Sequence, residues 1–272
     1  MYMVLSKIHM LRGEHKHMSK RDVYYNNVPL FTTQRKSDEA IDRATSVLGI
    51  PRYMTNIVPS PKGLIAGDIS YTIQGRRVIH TAGEASLVPT LPELIEGVVT
   101  SARWLLVVEK EAVFSRLLED GVPRGDHCCP GIIVTGKGYP DYPTKQLIRA
   151  ILDATGIPAL CLVDGDPHGY EIFTTYRDSS DKFAVSLPEM QLVGITAADV
   201  VEYDLQPALM PLTEADRAKA RSVIGRLGQV DAASLNAMVE ANGKCEIEAL
   251  HLLGLGFVSE VYVPDKIAQL GQ

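Results

Sequence analysis

The 272 residues are 46% hydrophobic and 22% charged, an ordinary globular balance, with length enough for one large domain or two modest ones. That composition excludes a disordered or low-complexity chain, and the longest apolar runs, such as Trp104 to Val108, are strand-sized and far short of a membrane span. The net charge of −6 is unevenly spread: residues 1–62 hold ten Lys/Arg against five Asp/Glu, a net +5, and the rest of the chain carries −11. A basic N-terminal part suits phosphate, whereas the acidic remainder can meet DNA only through a metal or a partner.

The first ten residues contain Lys7 and His9 and no small-residue cleavage pattern, so they read as the start of a helix, and the chain as a soluble intracellular protein. Cysteines 128, 129, 161 and 245 form no C-x-x-C pair, which argues against a disulfide framework or a zinc site. Val4, Leu5, Ile8 and Leu11 predict a short amphipathic helix. Ser19 opens a second helix, with Asp22 three residues on as the other half of a capping box. A third helix is expected from Ser37 through Ile41, Ala44, Val47 and Leu48, stopping at Gly49 and Pro51. Three short helices with a basic surface suit a helix-turn-helix or winged-helix module. Residues 63–90 read as β-structure with a turn at Gln74-Gly75, either a wing or a bridge to the next domain.

From residue 103 the pattern changes to apolar runs alternating with helices. The runs are 104–108, 131–135, 159–163 and 192–195; the helices are the stretch up to Leu118, Pro143 to Thr155 and His168 to Tyr176. This predicts an α/β fold with a parallel sheet covered on both faces. Helices from Thr213 onward complete the chain, with Glu214 to Leu227 and Glu246 to Leu253 the clearest.

Two constellations carry candidate chemistry. Glu109 and Asp164 each follow an apolar strand, and Asp166 stands two residues on in Asp164-Gly165-Asp166-Pro167-His168-Gly169. Ligands of open parallel sheets bind at the carboxyl ends of the strands, and three clustered carboxylates call for a hard cation such as Mg²⁺. The bland alternative is a surface turn with solvated acids. The second constellation is Lys20-Arg21-Asp22-Val23-Tyr24-Tyr25, where Arg21 and Tyr25 share a helix face. Only about one phenol in a thousand is ionised at neutral pH, so a tyrosine nucleophile needs a nearby cation or base. Arg21 could equally hold the phosphate under attack. Taken alone, paired tyrosines on a helix are more often packing residues. The Gly136-Lys137-Gly138-Tyr139-Pro140-Asp141 segment can approach a phosphate, but it lacks P-loop spacing and reads equally well as a plain turn.

Together these residues resemble a known family. The segments KRDVYYNNVPLF (20–31), SPKGLIAGDISY (60–71), WLLVVEKEAVFSRLLED (104–120), GIIVTGKGYPDYPT (131–144) and LVDGDPHGYEIFTTY (162–176) are similar to the meiotic double-strand-break transesterases, the Spo-eleven family, relatives of the topoisomerase VI A subunit. PLTEADRAK (211–219) and VYVPDKI (261–267) match more weakly.

The resemblance implies a winged-helix-like domain over 1–90 that bears the nucleophile, then a Toprim domain over 100–272. It places the catalytic tyrosine on Tyr25, with Tyr24 as the alternative register, and the motif arginine on Arg21. It places Mg²⁺ on Glu109, Asp164 and Asp166; DNA contacts are expected on Lys20 and Arg21 of the basic N-terminal part and on Lys137 of the glycine-flanked segment. It further implies cleavage of both strands of DNA through a 5′-phosphotyrosyl link, a homodimer with composite sites, topoisomerase VI B-like accessory partners, and action in the nucleus in meiotic recombination. Two departures stand out. Little chain precedes Val4, so the tyrosine-bearing domain is expected to be short at its start. Arg177-Asp178-Ser179-Ser180 lacks an expected glycine. The competing readings are a topoisomerase VI A subunit proper, a Toprim phosphodiesterase that uses water, and a non-catalytic DNA-binding scaffold of the same fold.

Overall fold

The computed structural model describes residues 1–271 apart from 15, 51, 59 and 179–184, so the Pro51 stop and the Ser179-Ser180 stretch lie outside the described residues. The chain opens with α1 (Tyr2–Gly13), the two-residue strand β1 (Met18–Ser19), α2 (Lys20–Tyr25), α3 (Val28–Phe31) and α4 (Gln34–Leu48), followed by β2 (Ile57–Val58), which pairs in parallel with β1. Val4, Ile8 and Leu11 of α1, Val23 of α2, Phe31 of α3, and Ile41 and Ala44 of α4 form a small core. The Ser19 hydroxyl accepts from the Asp22 N–H while Asp22 accepts from the Ser19 N–H, so the expected capping box is present.

Two expectations are corrected here. Thr33, not Ser37, caps α4, so that helix begins three residues earlier than the apolar pattern suggests. Val47 and Leu48 are exposed; the buried face of α4 is Ser37, Ile41 and Ala44. A small polar residue at the first core position hid the true face from a purely apolar periodicity.

The β-region is divided. β3 (Leu64–Ala66) and β6 (Ser86–Leu87) join the central sheet, whereas β4 (Ile69–Ile73) and β5 (Arg76–His80) form the hairpin around Gln74-Gly75 and pair with β7 (Ile95–Thr100) in a separate three-stranded sheet. For β3 and β6 the bridging alternative holds.

The central sheet has the order β11-β10-β8-β9-β3-β6, with β8 (Leu105–Val108), β9 (Ile132–Thr135), β10 (Ala159–Leu162) and β11 (Gln191–Gly194) all parallel. β3 runs antiparallel to both β9 and β6, so the sheet is mixed at that edge rather than parallel throughout. Every residue of β8, β9 and β10 is buried.

Alternation along β8 feeds two cores. Leu106 and Val108 face α5 (Glu111–Glu119) and the C-terminal helices; Leu105 and Val107 face α6 (Tyr142–Thr155) and the rear of α7 (Pro167–Arg177). Each such aliphatic side chain contributes about 1.5–3 kcal/mol by leaving water, which fixes the strand ends from which the acids emerge. The chain continues through α8 (Ala197–Glu202), β12 (Met210–Pro211), α9 (Glu214–Ile224), α10 (Gln229–Glu240) and β13 (Gly243–Lys244). It ends with a 3₁₀ segment Ile247–Leu253, a π turn Val258–Tyr262 and α11 (Val263–Ala268). Glu246 to Leu253 is thus helical from Ile247 on but wound as 3₁₀, and α10 falls within the region from Thr213 onward expected to be helical. Among the described residues, no single helix is long and apolar enough to cross a membrane; one bent pair of helices passes by length and composition only.

Candidate active site

The acidic centre forms where β8 and β10 end side by side. Glu109 follows Val108, and its Oε2 accepts the Asp164 backbone N–H at 3.0 Å. The Asp164 side chain is almost completely buried; its Oδ1 accepts from the Ile247 N–H at 2.9 Å and its Oδ2 meets the Lys110 ammonium at 2.9 Å. Burial, and secondarily the Asp164 charge, pushes the Glu109 carboxyl up to about 7. Burial likewise raises Asp164 to about 6, against the pull of the Ile247 N–H and Lys110.

Asp166 caps α7: its Oδ1 accepts from the Gly169 N–H at 2.7 Å. A Cβ at position 169 would collide with the Asp164 carbonyl, so the glycine is what lets this helix start so close to the acids. The Asp164-Gly165 turn is also clamped from outside, because Gly165 and Cys245 exchange two backbone hydrogen bonds of 2.7 and 3.0 Å.

The three predicted acids therefore lie on one strand-end cluster, and each raises or is raised by its neighbours' charge. Among the described residues, no group of three or more His, Cys, Asp or Glu side chains is arranged to hold a metal ion. Lys110 balances Asp164, and one oxygen of Asp166 is turned to its helix. The donor set itself, a buried and two half-buried carboxylates that repel one another, has the chemistry a hard divalent cation satisfies.

The tyrosine lies on a different part of the chain. Tyr25 is the last residue of α2 and 68% exposed; its side chain neighbours the Tyr24 ring, at 5.3 Å between centroids. Tyr24 is tied back through its hydroxyl to the Thr32 carbonyl at 3.5 Å. Arg21 is exposed one turn before Tyr25 and makes no hydrogen bond or ion pair among the described residues.

Lys20 and Arg21 line a groove of about 410 Å³ with Gln34, Asp38, Ser60, Pro61 and Lys62. Lys62 carries this groove toward the glycine-flanked loop. Its N–H donates to Asp141 Oδ2 at 2.7 Å and its ammonium to the Lys137 carbonyl at 3.3 Å. Lys137 sits at φ +53°, uncommon for a residue with a Cβ, with its ammonium on Glu111 at 3.0 Å. The Gly138 N–H donates to the Glu109 carbonyl, so this loop is fastened to the acid that ends β8.

Several residues at the site had not been singled out from the sequence. Lys62 lies inside a matched segment, and Lys110 stands beside Glu109, so adjacency could have flagged both. Glu246 and Glu248, each within reach of Lys110, have no signal in the sequence, because only the fold brings them to the strand ends. Tyr139, whose hydroxyl donates to Glu171, and Lys219, paired with Glu171 at 2.8 Å, complete the rim.

Comparison with known proteins shows the family. Residues 104–267 match the model of the topoisomerase 6 A-subunit/Spo11 Toprim domain, and residues 1–57 match that of the type IIB DNA topoisomerase N-terminal region. The meiotic recombination protein SPO11-1 of Arabidopsis thaliana is 35% identical over 277 residues, covering 97% of this chain and 76% of its own. SPO11 of Mus musculus is 35% identical over 276 residues, covering 97% and 69%. The DNA topoisomerase 6 A-subunit of Arabidopsis thaliana is 32% identical over 281 residues, covering 98% and 64%. The chain belongs to the topoisomerase 6 A-subunit/Spo11 family.

Proposed function

We propose that this chain makes double-strand breaks in DNA as a topoisomerase-like transesterase that initiates meiotic recombination in the nucleus. The observation that carries the reading is the coexistence of an exposed Tyr25 on a basic helical unit with strand-end carboxylates at Glu109, Asp164 and Asp166. In this reading the tyrosine-bearing unit, with the role of a winged-helix domain, lies within residues 1–90, and residues 100–272 form the Toprim unit, whose central sheet also takes in β3 and β6.

The Tyr25 hydroxyl attacks a backbone phosphate and gives up its proton. The new phosphotyrosyl bond forms as the bond to the 3′-oxygen breaks, leaving a free 3′-hydroxyl. Arg21 pairs with the non-bridging oxygens of that phosphate, and Lys20, Lys62 and Lys137 hold its neighbours. Glu109, Asp164 and Asp166 would hold Mg²⁺, which when bound supplies positive charge against the phosphate oxygens. Two copies would work together, each offering its Tyr25 to the acids of the other, with topoisomerase VI B-like proteins as accessory partners.

The test is covalent trapping. Protein, DNA and Mg²⁺ are incubated, with partner extract added, and then denatured. Protein attached to 5′ DNA ends through Tyr25 supports the reading; breaks without any attached protein point to hydrolysis. A second reading, a topoisomerase VI A subunit proper, draws on the 32% identity to the plant protein. It predicts ATP-dependent strand passage once a B-type partner is supplied, an activity the first reading does not require.

A further inference from the structure

Lys110 has more acidic partners than one lysine needs. Its ammonium lies 2.9 Å from Asp164 Oδ2, 2.6 Å from Glu248 Oε2 and 3.3 Å from Glu246 Oε2. The partners differ in surroundings. The Asp164 side chain is 10% exposed, whereas those of Glu246 and Glu248 are 52% and 39% exposed. The backbone N–H of Ile247, between the two glutamates, binds the other oxygen of Asp164. One short C-terminal segment thus presents an N–H to the buried acid and two carboxylates to the lysine beside it. The Asp164–Lys110 pair is already neutral, so two more carboxylates are surplus to its balance.

We propose that Lys110 is the resident counter-ion of the acidic centre, a positioning residue that holds Asp164 Oδ2 and withdraws onto Glu246 and Glu248 when a divalent cation takes that oxygen. The inference rests on the reading of Glu109, Asp164 and Asp166 as cation ligands. An ammonium and a dication cannot share one carboxylate oxygen without strong repulsion, because charges a few ångströms apart in a partly dry site are poorly screened. The lysine stem is flexible enough to move its charge by the small distance between inner and outer partners. Glu246 and Glu248 give it a destination, so an arriving cation does not strand an unpaired ammonium. Lys110 then sets the cation affinity of the site without touching DNA or the reacting atoms.

The experiment measures Mn²⁺ binding to the full chain by the electron paramagnetic resonance signal of the free ion, which needs no cleavage. K110Q is expected to tighten Mn²⁺ binding about tenfold, while K110R, which keeps the charge, does not tighten it. E246Q/E248Q is expected to weaken binding several-fold, and this effect should shrink strongly in a K110Q background, since the glutamates act through the lysine. A folded K110Q chain that binds Mn²⁺ no more tightly than the unmodified chain overturns the proposal. So does an E246Q/E248Q effect of equal size with and without Lys110, which would be a direct effect of the two charges. If K110Q does not fold, K110M takes its place in the same comparison, and unchanged affinity in E246Q/E248Q overturns the proposal in either case. D164N separates the two levels: if it binds Mn²⁺ as tightly as the unmodified chain, the ligand reading itself fails, whatever Lys110 does.

Discussion

The carboxylate of Glu109 accepts the backbone N–H of Asp164, 55 positions further along the chain, so each acid helps to place the other. Both stand at the ends of neighbouring parallel strands whose register, Val108 opposite Leu162, sets Asp164 one residue beyond the position opposite Glu109. Glu109→Gln keeps an oxygen that can accept this bond, and Asp164→Asn keeps the N–H that donates it. Both variants should therefore fold, yet lose DNA cleavage and its response to Mg²⁺ together. Thermal melting and a cleavage assay titrated with Mg²⁺ check this; full activity of Glu109→Gln in chelator would sink the metal assignment.

Tyr25→Phe should abolish the covalent 5′ adduct and leave the melting temperature within about 1 °C, since the lost hydroxyl is exposed and makes no hydrogen bond among the described residues. Tyr24→Phe removes only a long bond to the Thr32 carbonyl and should keep cleavage. An adduct that survives Tyr25→Phe but not Tyr24→Phe would move the nucleophile by one position.

Composite sites predict complementation. A dimer joining one Tyr25→Phe chain to one Glu109→Gln chain keeps a single good pairing of tyrosine and acid, so it should nick one strand without cutting both. Two tags purified in sequence secure the mixed dimer, and supercoiled plasmid reads nicks apart from linear product. No nicking by a verified mixed dimer would refute sharing between copies.

Charge removal at Lys20, Arg35 and Lys36 should flatten the salt dependence of DNA binding, the log-log slope falling by about one for each phosphate no longer neutralised. Arg35 is strongly exposed and paired with Glu39 one turn on, a bond that phosphate can outcompete. Fluorescence anisotropy across a salt series measures the slope, and an unchanged value would place the DNA surface elsewhere.

Asp216 supplies a pH test of the fold. The Thr213 N–H, the Thr213 hydroxyl and Lys244 hold its carboxyl down to about 2, with the backbone bond the largest cause. A carboxyl lowered in the folded state stabilises above its unfolded value near 4, and that contribution fades as pH falls toward 2. Asp216→Asn should thus cost roughly 2 kcal/mol at pH 6, and the gap to the unmodified chain should narrow between pH 4 and 2. Urea unfolding at several pH values gives the answer; a pH-independent gap would mean that capping geometry, not charge, carries the effect.

The strands and the first acids were legible because burial on both faces writes continuous apolar runs, and an acid directly after such a run has few places to go. The Ser19–Asp22 box was legible because capping is local. The start of α4 was not, since Ser37 is a buried polar residue that breaks the apolar count. Pairing of β3 with β9 across some 70 residues leaves no local trace, so the mixed edge of the sheet emerged only in three dimensions. The same holds for Glu246 and Glu248, whose relation to Lys110 spans well over a hundred positions.

The exposed position of Tyr25 also bears on dosage. Its helix packs mainly against α4 and its neighbours in the N-terminal unit. Under the shared-site proposal, a lone copy is chemically silent, and breaks arise only from encounters between copies. In the dilute regime their number would then follow the square of the protein's abundance. A cell could restrain so hazardous a reaction simply by keeping the chain scarce and releasing it where copies are gathered.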